Sequence, residues 1–448
     1  MKQSKCYYVI ILLLLSILFR IPEIVRNPYT ISNDSRDYYH VAVNVIRGNG
    51  YSNDTEPPYE PYFFREPVYP LFLASFLLIP SVLGYNPSYL KDPGITDPIK
   101  LIGKGHSEPM WEKLYLKIVQ LLLDSVSILI IYSILKNFYE RDKAFRICIL
   151  ISFLTAFIGL YANLLRETVQ LFLTVVLTYL LYRYSKEKSY PSIIFIGIIL
   201  GLLSLTLQIF ILLIPLFIIF IILSKINIRV MIKYILLIII SSGILICPWV
   251  VRSYLYARDW RVIKTMGMSL TFEQLGFLKA YKEAENAKVI NDNELTLLKF
   301  KYYFNASQSD YFKYSYNGKY TQLSDSLYQV IKQKSHYKGI TENIKIFFSR
   351  FLFLFVPRIY YTRLYSGFKT FLFAFVAIIG LVPSVKLFKK YKFIWPLILF
   401  HLLIFYNFGD ESRRLVYMHY FWSTMAAVGI VEIFYYYKKY RNSKDTEL

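Results

Sequence analysis

A run of 33 uncharged residues, Ser192 to Ser224, constrains this chain more than any other feature. A water-soluble fold has no use for so long an apolar stretch, whereas a bilayer requires one for every crossing. As a single helix the run would be about 50 Å long, against a hydrocarbon core of about 30 Å. It therefore reads as two helices that turn near Gln208. Further apolar runs lie at about 7–24, 114–135, 147–165, 168–182, 234–249, 368–385, 393–408 and 420–437, which brings the expected spans to ten. Composition agrees: of 448 residues 55% are hydrophobic and 18% charged, which excludes disorder and argues against a soluble globule.

The net charge is +22, from 52 Lys and Arg against 30 Asp and Glu. The basic residues sit in short clusters between apolar runs, so the positive-inside rule explains them and no nucleic-acid partner is expected. The clusters are Lys2/Lys5, Lys136/Arg141/Lys143/Arg146, Arg183/Lys186/Lys188, Lys225/Arg229/Lys233, Lys386/Lys389/Lys390/Lys392 and Lys438/Lys439/Arg441/Lys444. With ten spans all of them fall on one face, which places that face and both termini in the cytoplasm. The first run, Tyr7 to Phe19, follows a basic start, and Arg20, Ile21 and Pro22 come next in place of a cleavage site. It reads as a retained first span. Cys6, Cys148 and Cys247 lie in or beside apolar runs, so neither a disulfide framework nor a metal–thiolate site is expected.

The expected organisation is an all-α polytopic membrane protein in three parts. Residues 1–251 form an N-terminal module of seven spans, with a first extracytoplasmic loop at 25–113. Residues 252–367 form a second extracytoplasmic region, and 368–448 carry the last three spans. Within the first loop, Asp34 to Gly50 has helical spacing (Tyr38, Ala42, Val45, Ile46) and ends in two glycines. Residues 67–83 are apolar but broken by Pro67, Pro70 and Pro80, so they read as an interfacial or re-entrant helix. Residues 344–365, apolar and aromatic with three arginines, are expected on the membrane surface.

Charge is expensive near hydrocarbon, so charges there are the informative residues. Five constellations fall on the expected outer face: Asp34 to Tyr38, Arg65 to Pro70, Arg166-Glu167, Pro248 to Arg252 and Glu411 to Arg414. Each has a plain structural alternative: helix capping for Asp34, a hairpin ion pair for Arg166-Glu167, snorkelling arginines for the rest. Together they suit a lipid-linked phosphosugar, with arginine forks for phosphate and carboxylates as base, cation ligand or sugar-hydroxyl acceptor. The spans themselves contain few polar residues, Asp124 being the main exception, which disfavours a transport path.

At this point the sequence resembles the GT-C-type integral-membrane glycosyltransferases, in the branch of protein O-mannosyltransferases and lipid A aminoarabinose transferases. Asp34-Ser35, Tyr38, Ala42, Asn44 and Gly48-Asn49-Gly50-Tyr51 resemble the family's first-loop Asp motif and helix. Arg65-Glu66-Pro67-Val68-Tyr69-Pro70 resembles its Arg-x-Pro-Gly-Tyr-Pro segment, and Glu167 stands where an acidic residue often follows the third span. Pro248-Trp249 with Arg252-Ser253-Tyr254 resembles Pro-Trp-x-x-Arg-Asn-Tyr, and Glu411-Ser412-Arg413 resembles a late Arg-containing loop. Three departures stand out: Leu205-Thr206-Leu207-Gln208 replaces Leu-Thr-Arg-Pro, Tyr417 and Tyr420 replace late prolines, and Val68 replaces the usual Gly.

The resemblance implies a polyprenyl-phosphate-linked sugar donor and inverting transfer, of a hexose or a pentose, to a lipid, protein or glycan outside the cytoplasm. Asp34 would be the general base, or with Glu167 would hold a divalent cation; Glu167 would otherwise orient the sugar. Arg252, Arg65, Arg166 and Arg413, with Tyr38 and Tyr69, would bind the donor and its phosphate. Asp37, one turn past Asp34, is expected to matter less. A lipid-linked saccharide flippase, an oligosaccharide ligase or polymerase, and an inactive scaffold are the alternatives.

Overall fold

The computed structural model describes residues 4–59, 61–62, 65–90, 109–156, 159–224, 226–257, 397, 423–424 and 427–437. The described residues are almost entirely helical: α1 (Ser4–Arg26), α2 (Asn33–Arg47), α3 (Val68–Val82), α4 (Trp111–Leu135), α5 (Arg141–Ala156), α6 (Glu167–Glu187), α7 (Tyr190–Ser204), α8 (Leu213–Leu223) and α9 (Ile228–Ala257). A further helix, α10, covers Ala427–Tyr437. Among them, Tyr7–Arg26, Trp111–Leu135 and Ile228–Leu255 are long and apolar enough to cross a membrane. The chain is an integral membrane protein. The expected span at 368–385, that at 393–408 apart from Leu397, the surface segment 344–365, most of the second loop and Arg413 lie outside the described residues.

The 33-residue run divides as expected. Helix α7 stops at Ser204, Leu207 is extended at φ −158° and ψ 117°, a 3₁₀ turn runs over Gln208–Leu212, and α8 follows. Pro215 sits in the first turn of α8, where its missing N–H removes only an orphan donor. Helices α7 and α9 approach closely at two glycines of α7. A Cβ on Gly197 would lie 1.9 Å from Ser241 Oγ, and one on Gly201 would lie 3.0 Å from the Ser242 carbonyl oxygen. Small residues allow this approach, which is how helices associate where the hydrophobic effect cannot drive them.

Helix α4 is the centre of the described bundle, in contact with α1, α3, α5 and α6. Its apolar sequence conceals a polar stripe: Lys113, Lys117, Gln120 and Asp124 share one face at helical spacing and all are buried. Asp124 accepts from Arg20 Nε at 2.7 Å, and the same fully buried guanidinium donates to Ser16, Ser152 and Thr155. One charge thus ties α1, α4 and α5 together in the interior of the bundle. On the other side of α1, Leu14, Leu18, Ile21 and Val25 are exposed at helical spacing, as a lipid-facing stripe should be.

Helix α2 forms where the helical spacing and the glycines put it. The Ser32 side chain caps its start by accepting from Ser35 N–H, and Gly48 ends it at φ 78° in the left-handed region. Helix α3 has 15 residues, about 22 Å, short of the bilayer core. It packs on α2 and α4, and Val68 N–H donates to the Leu205 carbonyl at 3.2 Å, where α7 ends.

Candidate active site

The first loop is organised by Asn44. Its Nδ2 donates to the carbonyls of Ser52 and Asp54 at 2.9 and 2.8 Å, and its Oδ1 accepts from Asn49 Nδ2 and from the Tyr89 hydroxyl. A buried amide with four partners fixes the path of residues 48–54. That path delivers Tyr51, whose hydroxyl donates to the Arg65 carbonyl at 2.9 Å and whose ring packs edge-on to Trp249.

Arg252 reaches this loop from the end of α9. Its guanidinium lies over the rings of Tyr51 and Trp249 at 5.2 and 5.5 Å. Its Nη2 donates, at the long end of the range, to the carbonyls of Tyr51 and Tyr62. The guanidinium is thereby placed where α9 meets the first loop, beside Tyr51 and Tyr62.

Arg65 is held by Asp37: Nε and Nη2 donate to the same Asp37 carboxylate oxygen at 3.0 and 2.7 Å. The Arg65 guanidinium also covers the Tyr38 ring at 4.9 Å. The Tyr62 hydroxyl bonds to Asp37, and burial, then the Asp37 charge, push that hydroxyl's pKa well above its ordinary value. Burial raises Tyr51 in the same way, so both phenols stay protonated and act as donors.

Arg166 pairs with Glu66 at 2.6 Å, and Glu66 is almost wholly buried. Glu167 follows as the first residue of α6, where the helix N-terminus favours a carboxylate. It is buried, and its Oε2 has no hydrogen-bond partner among the described residues; nor has the neighbouring Thr168 hydroxyl. Tyr38 and Tyr69 meet edge-to-face with centroids 4.8 Å apart, and the Tyr69 hydroxyl donates to Gln120 Oε1 at 2.7 Å.

Four expected constellations are thus brought to one end of the bundle. Asp34 lies in the first turn of α2, but its side chain is outside the described residues, as is Arg413. Three further contributors emerge: Asp37, which was expected to matter less than Asp34, and Glu66 and Gln120, for which no role was expected. Asp37 and Glu66 are the counter-ions of two of the arginines, and Gln120 joins α4 to the site. Asp37 and Glu66 stood inside quoted motifs, while Gln120 was visible only as a polar residue repeating with Lys117 and Asp124.

Among the described residues no three His, Cys, Asp or Glu side chains converge as a metal cage. Asp37 and Glu66 are engaged by arginines, and Glu167 has a buried oxygen with no hydrogen-bond partner among the described residues. A divalent cation takes six or more oxygen ligands. The described donor set does not fit one.

Residues 112–251 match a sequence model of the family described as dolichyl-phosphate-mannose-protein mannosyltransferase. No curated protein sequence matches the chain. Among solved structures, the archaeal oligosaccharyltransferase AglB from Archaeoglobus fulgidus, in complex with an inhibitory peptide and a dolichol-phosphate, aligns with TM-score 0.54 and 13% identity over 99% of this chain and 52% of that one. The Archaeoglobus fulgidus oligosaccharyltransferase in complex with Zn and sulfate aligns with TM-score 0.52 and 14% identity, over 95% and 49%. The chain spans about half the length of these proteins. In the sequence model it matches and in the fold it adopts, this chain is similar to the GT-C-type integral-membrane glycosyltransferases that its motifs resemble.

Proposed function

We propose that this chain transfers a sugar from a polyprenyl-phosphate-linked donor to an extracytoplasmic acceptor by inverting displacement. The observation that carries the reading is the assembly of Arg65, Arg166 and Arg252, with the uncommitted Glu167 carboxylate, at one end of a membrane-embedded bundle. A lipid phosphate at that level would meet guanidinium groups while its tail lay among the helices. The dolichol-phosphate held by AglB is a ligand of the same chemistry.

In the proposed reaction the acceptor hydroxyl oxygen attacks the anomeric carbon. The bond from that carbon to the phosphate oxygen breaks with its electron pair leaving on the lipid phosphate. The hydroxyl proton passes to Asp34, a carboxylate ionised at neutral pH. Glu167 Oε2 accepts from a sugar hydroxyl and orients the ring. Arg252 and Arg166 face the phosphate as its charge grows, so their contacts strengthen in the transition state. Arg65 joins them only by sharing its fork with Asp37. No step runs through a metal.

The active end is proposed to face away from the cytoplasm, because the basic clusters belong to the opposite end. The test is incubation of purified protein with polyprenyl-phosphate sugars, monosaccharide and oligosaccharide, assaying released lipid phosphate. Asp34→Asn should lower turnover by about 10² with folding intact, and Arg252→Ala should weaken product inhibition by lipid phosphate. If no donor of either size is cleaved, the transferase reading is wrong. Wild-type turnover in Asp34→Asn would reduce that residue to a helix cap.

A further inference from the structure

Gln120 lies on a helix that holds none of the motif residues quoted above, yet its side chain touches both halves of the site. Its Oε1 accepts from the Tyr69 hydroxyl at 2.7 Å. Its Nε2 donates to the carbonyls of Asn163 at 2.7 Å and Tyr161 at 3.2 Å. The first contact fixes α3 and, through the Tyr69–Tyr38 ring pair, the face of α2 that Arg65 covers. The other two fix the body of the turn that ends in Arg166 and Glu167, which is otherwise tied by the Arg166–Glu66 pair, the Tyr161 hydroxyl on the Ala156 carbonyl and short-range backbone bonds such as Leu165 N–H to the Asn163 carbonyl.

We infer that Gln120 is a positioning residue: together with the Arg166–Glu66 pair, one fully buried amide sets the distance between the Tyr38–Tyr69–Arg65 group and the Arg166–Glu167 pair. An amide is the neutral side chain that can accept from a hydroxyl and donate to two carbonyls at once. A spacer that only filled volume would not need that pattern, and in lipid a leucine would fill the same volume. Removing the amide leaves a phenol and a turn carbonyl without a partner where no water replaces it, so the turn shifts to find one.

The kinetic arm of this inference rests on the transferase reading; a second arm does not. Gln120→Leu and Gln120→Glu separate the roles. In Gln120→Glu the ionised side chain keeps the Tyr69 contact but sets a carboxylate oxygen against two carbonyls. Protonation, which burial favours, removes that conflict, because the neutral acid donates to one of them. Turnover of Gln120→Glu relative to wild type should therefore rise several-fold as pH falls from 8 to 6. Gln120→Leu should stay about tenfold or more below wild type across that range. The donor KM should change less than about threefold in both, since the loss is of alignment and not of binding.

In parallel, hydrogen exchange at amides 161–168 should be faster in both variants than in wild type, with protection returning in Gln120→Glu at pH 6. Wild-type kcat in Gln120→Leu, or an equal and pH-independent loss in both variants, overturns the inference. If wild type cleaves no donor, the transferase reading fails, and the exchange data decide the inference by themselves: unchanged protection of 161–168 in Gln120→Leu overturns it.

Discussion

The two ends of the helix bundle both carry arginines and carboxylates, but they use them differently. At the loop end Arg166 pairs with Glu66, a hundred positions away, and Arg65 with Asp37 across 28, with all four side chains mostly buried. At the opposite end Arg183 faces Glu187, four residues along its own helix, with about half of each side chain in solvent. Water and salt screen the second kind of pair, while a desolvated pair holds its geometry. The difference separates two tasks. The loop end uses charge to fix distant segments against one another; the opposite end, with Lys136, Arg141, Lys143, Arg146, Lys186 and Lys188, has charge suited to orienting the protein in a membrane.

The largest effect should come where the loop-end logic extends into the hydrocarbon. Arg20 and Asp124 are both almost fully buried and 2.7 Å apart. Arg20→Leu leaves Asp124 without its counter-ion and should cost about 3–5 kcal/mol, as should Asp124→Leu. The double variant removes both charges and should recover most of that loss, because an apolar pair needs no desolvation. Thermal unfolding of detergent-solubilised protein, run as a double-mutant cycle, measures it. Additive losses would show that the two charges do not depend on each other.

A smaller effect is expected at Glu66, and it should fall on catalysis. Glu66→Gln keeps the shape of the side chain and one acceptor for Arg166 but removes the charge. Losing a charge-assisted hydrogen bond of about 1.5–3 kcal/mol sets an upper limit of about 10- to 100-fold on the rate. Turnover should fall by about tenfold, with the unfolding temperature changed by a few degrees at most. If stability falls as far as in Arg20→Leu while turnover per folded molecule is kept, the Arg166–Glu66 pair is structural, and the contrast between ends reduces to burial alone.

Much of the loop end was legible in the sequence because its signals are local. Helical spacing and the glycines at 48 and 50 mark α2, though its cap is Ser32 and not Asp34, and an apolar run too long for one crossing turns near Gln208. The motifs pointed to Arg65, Arg166 and Arg252, which lie at one end of the described bundle. Partnership was not legible: that Arg65 would face Asp37, or Arg166 face Glu66, depends on how α2 and the 65–70 segment fold onto the α5–α6 turn. Arg20 was read as the end of an apolar run, whereas it is the interior partner of Asp124, the one span residue that had stood out. Lys117 was equally hidden. It holds the carbonyls of Asn27 and Thr30 at 2.6 and 2.7 Å, just before the turn into α2, and a lysine within an apolar helix gives no hint of which loop it anchors.

Between the two kinds of pair stands Lys143, which donates to Glu432 of α10 at 2.7 Å and lies near the rings of Tyr139 and Tyr435. It is distant in sequence from its partner, like the loop-end pairs, but Glu432 is about half exposed. Exposure should prevail over sequence distance. A double-mutant cycle of Lys143→Ala with Glu432→Ala should give a coupling below about 1 kcal/mol, shrinking further at high salt. A coupling of several kcal/mol would mean that docking α10 requires the same desolvated charge as the loop end.

The smallest effect belongs to Arg183. Its contact with Glu187 is long, at 3.4 Å, within one helix, and open to solvent on both sides. An i,i+4 pair of this kind contributes about 0.3–0.5 kcal/mol, and alanine offsets part of that loss by its helix propensity. Arg183→Ala should therefore leave stability within about 0.5 kcal/mol and turnover unchanged. Lys186 and Lys188 still keep that end basic, so orientation should not change either. Replacing all three by alanine is the sharper test. Stability should again change little, since none of the three supports a distant segment through its side-chain charge. If these residues orient the protein, cysteines placed beside them should become less uniformly protected from an impermeant thiol reagent in intact cells. Full protection in the triple variant would shift the orienting role to the other basic clusters, and a large loss of stability would erase the distinction between the two ends.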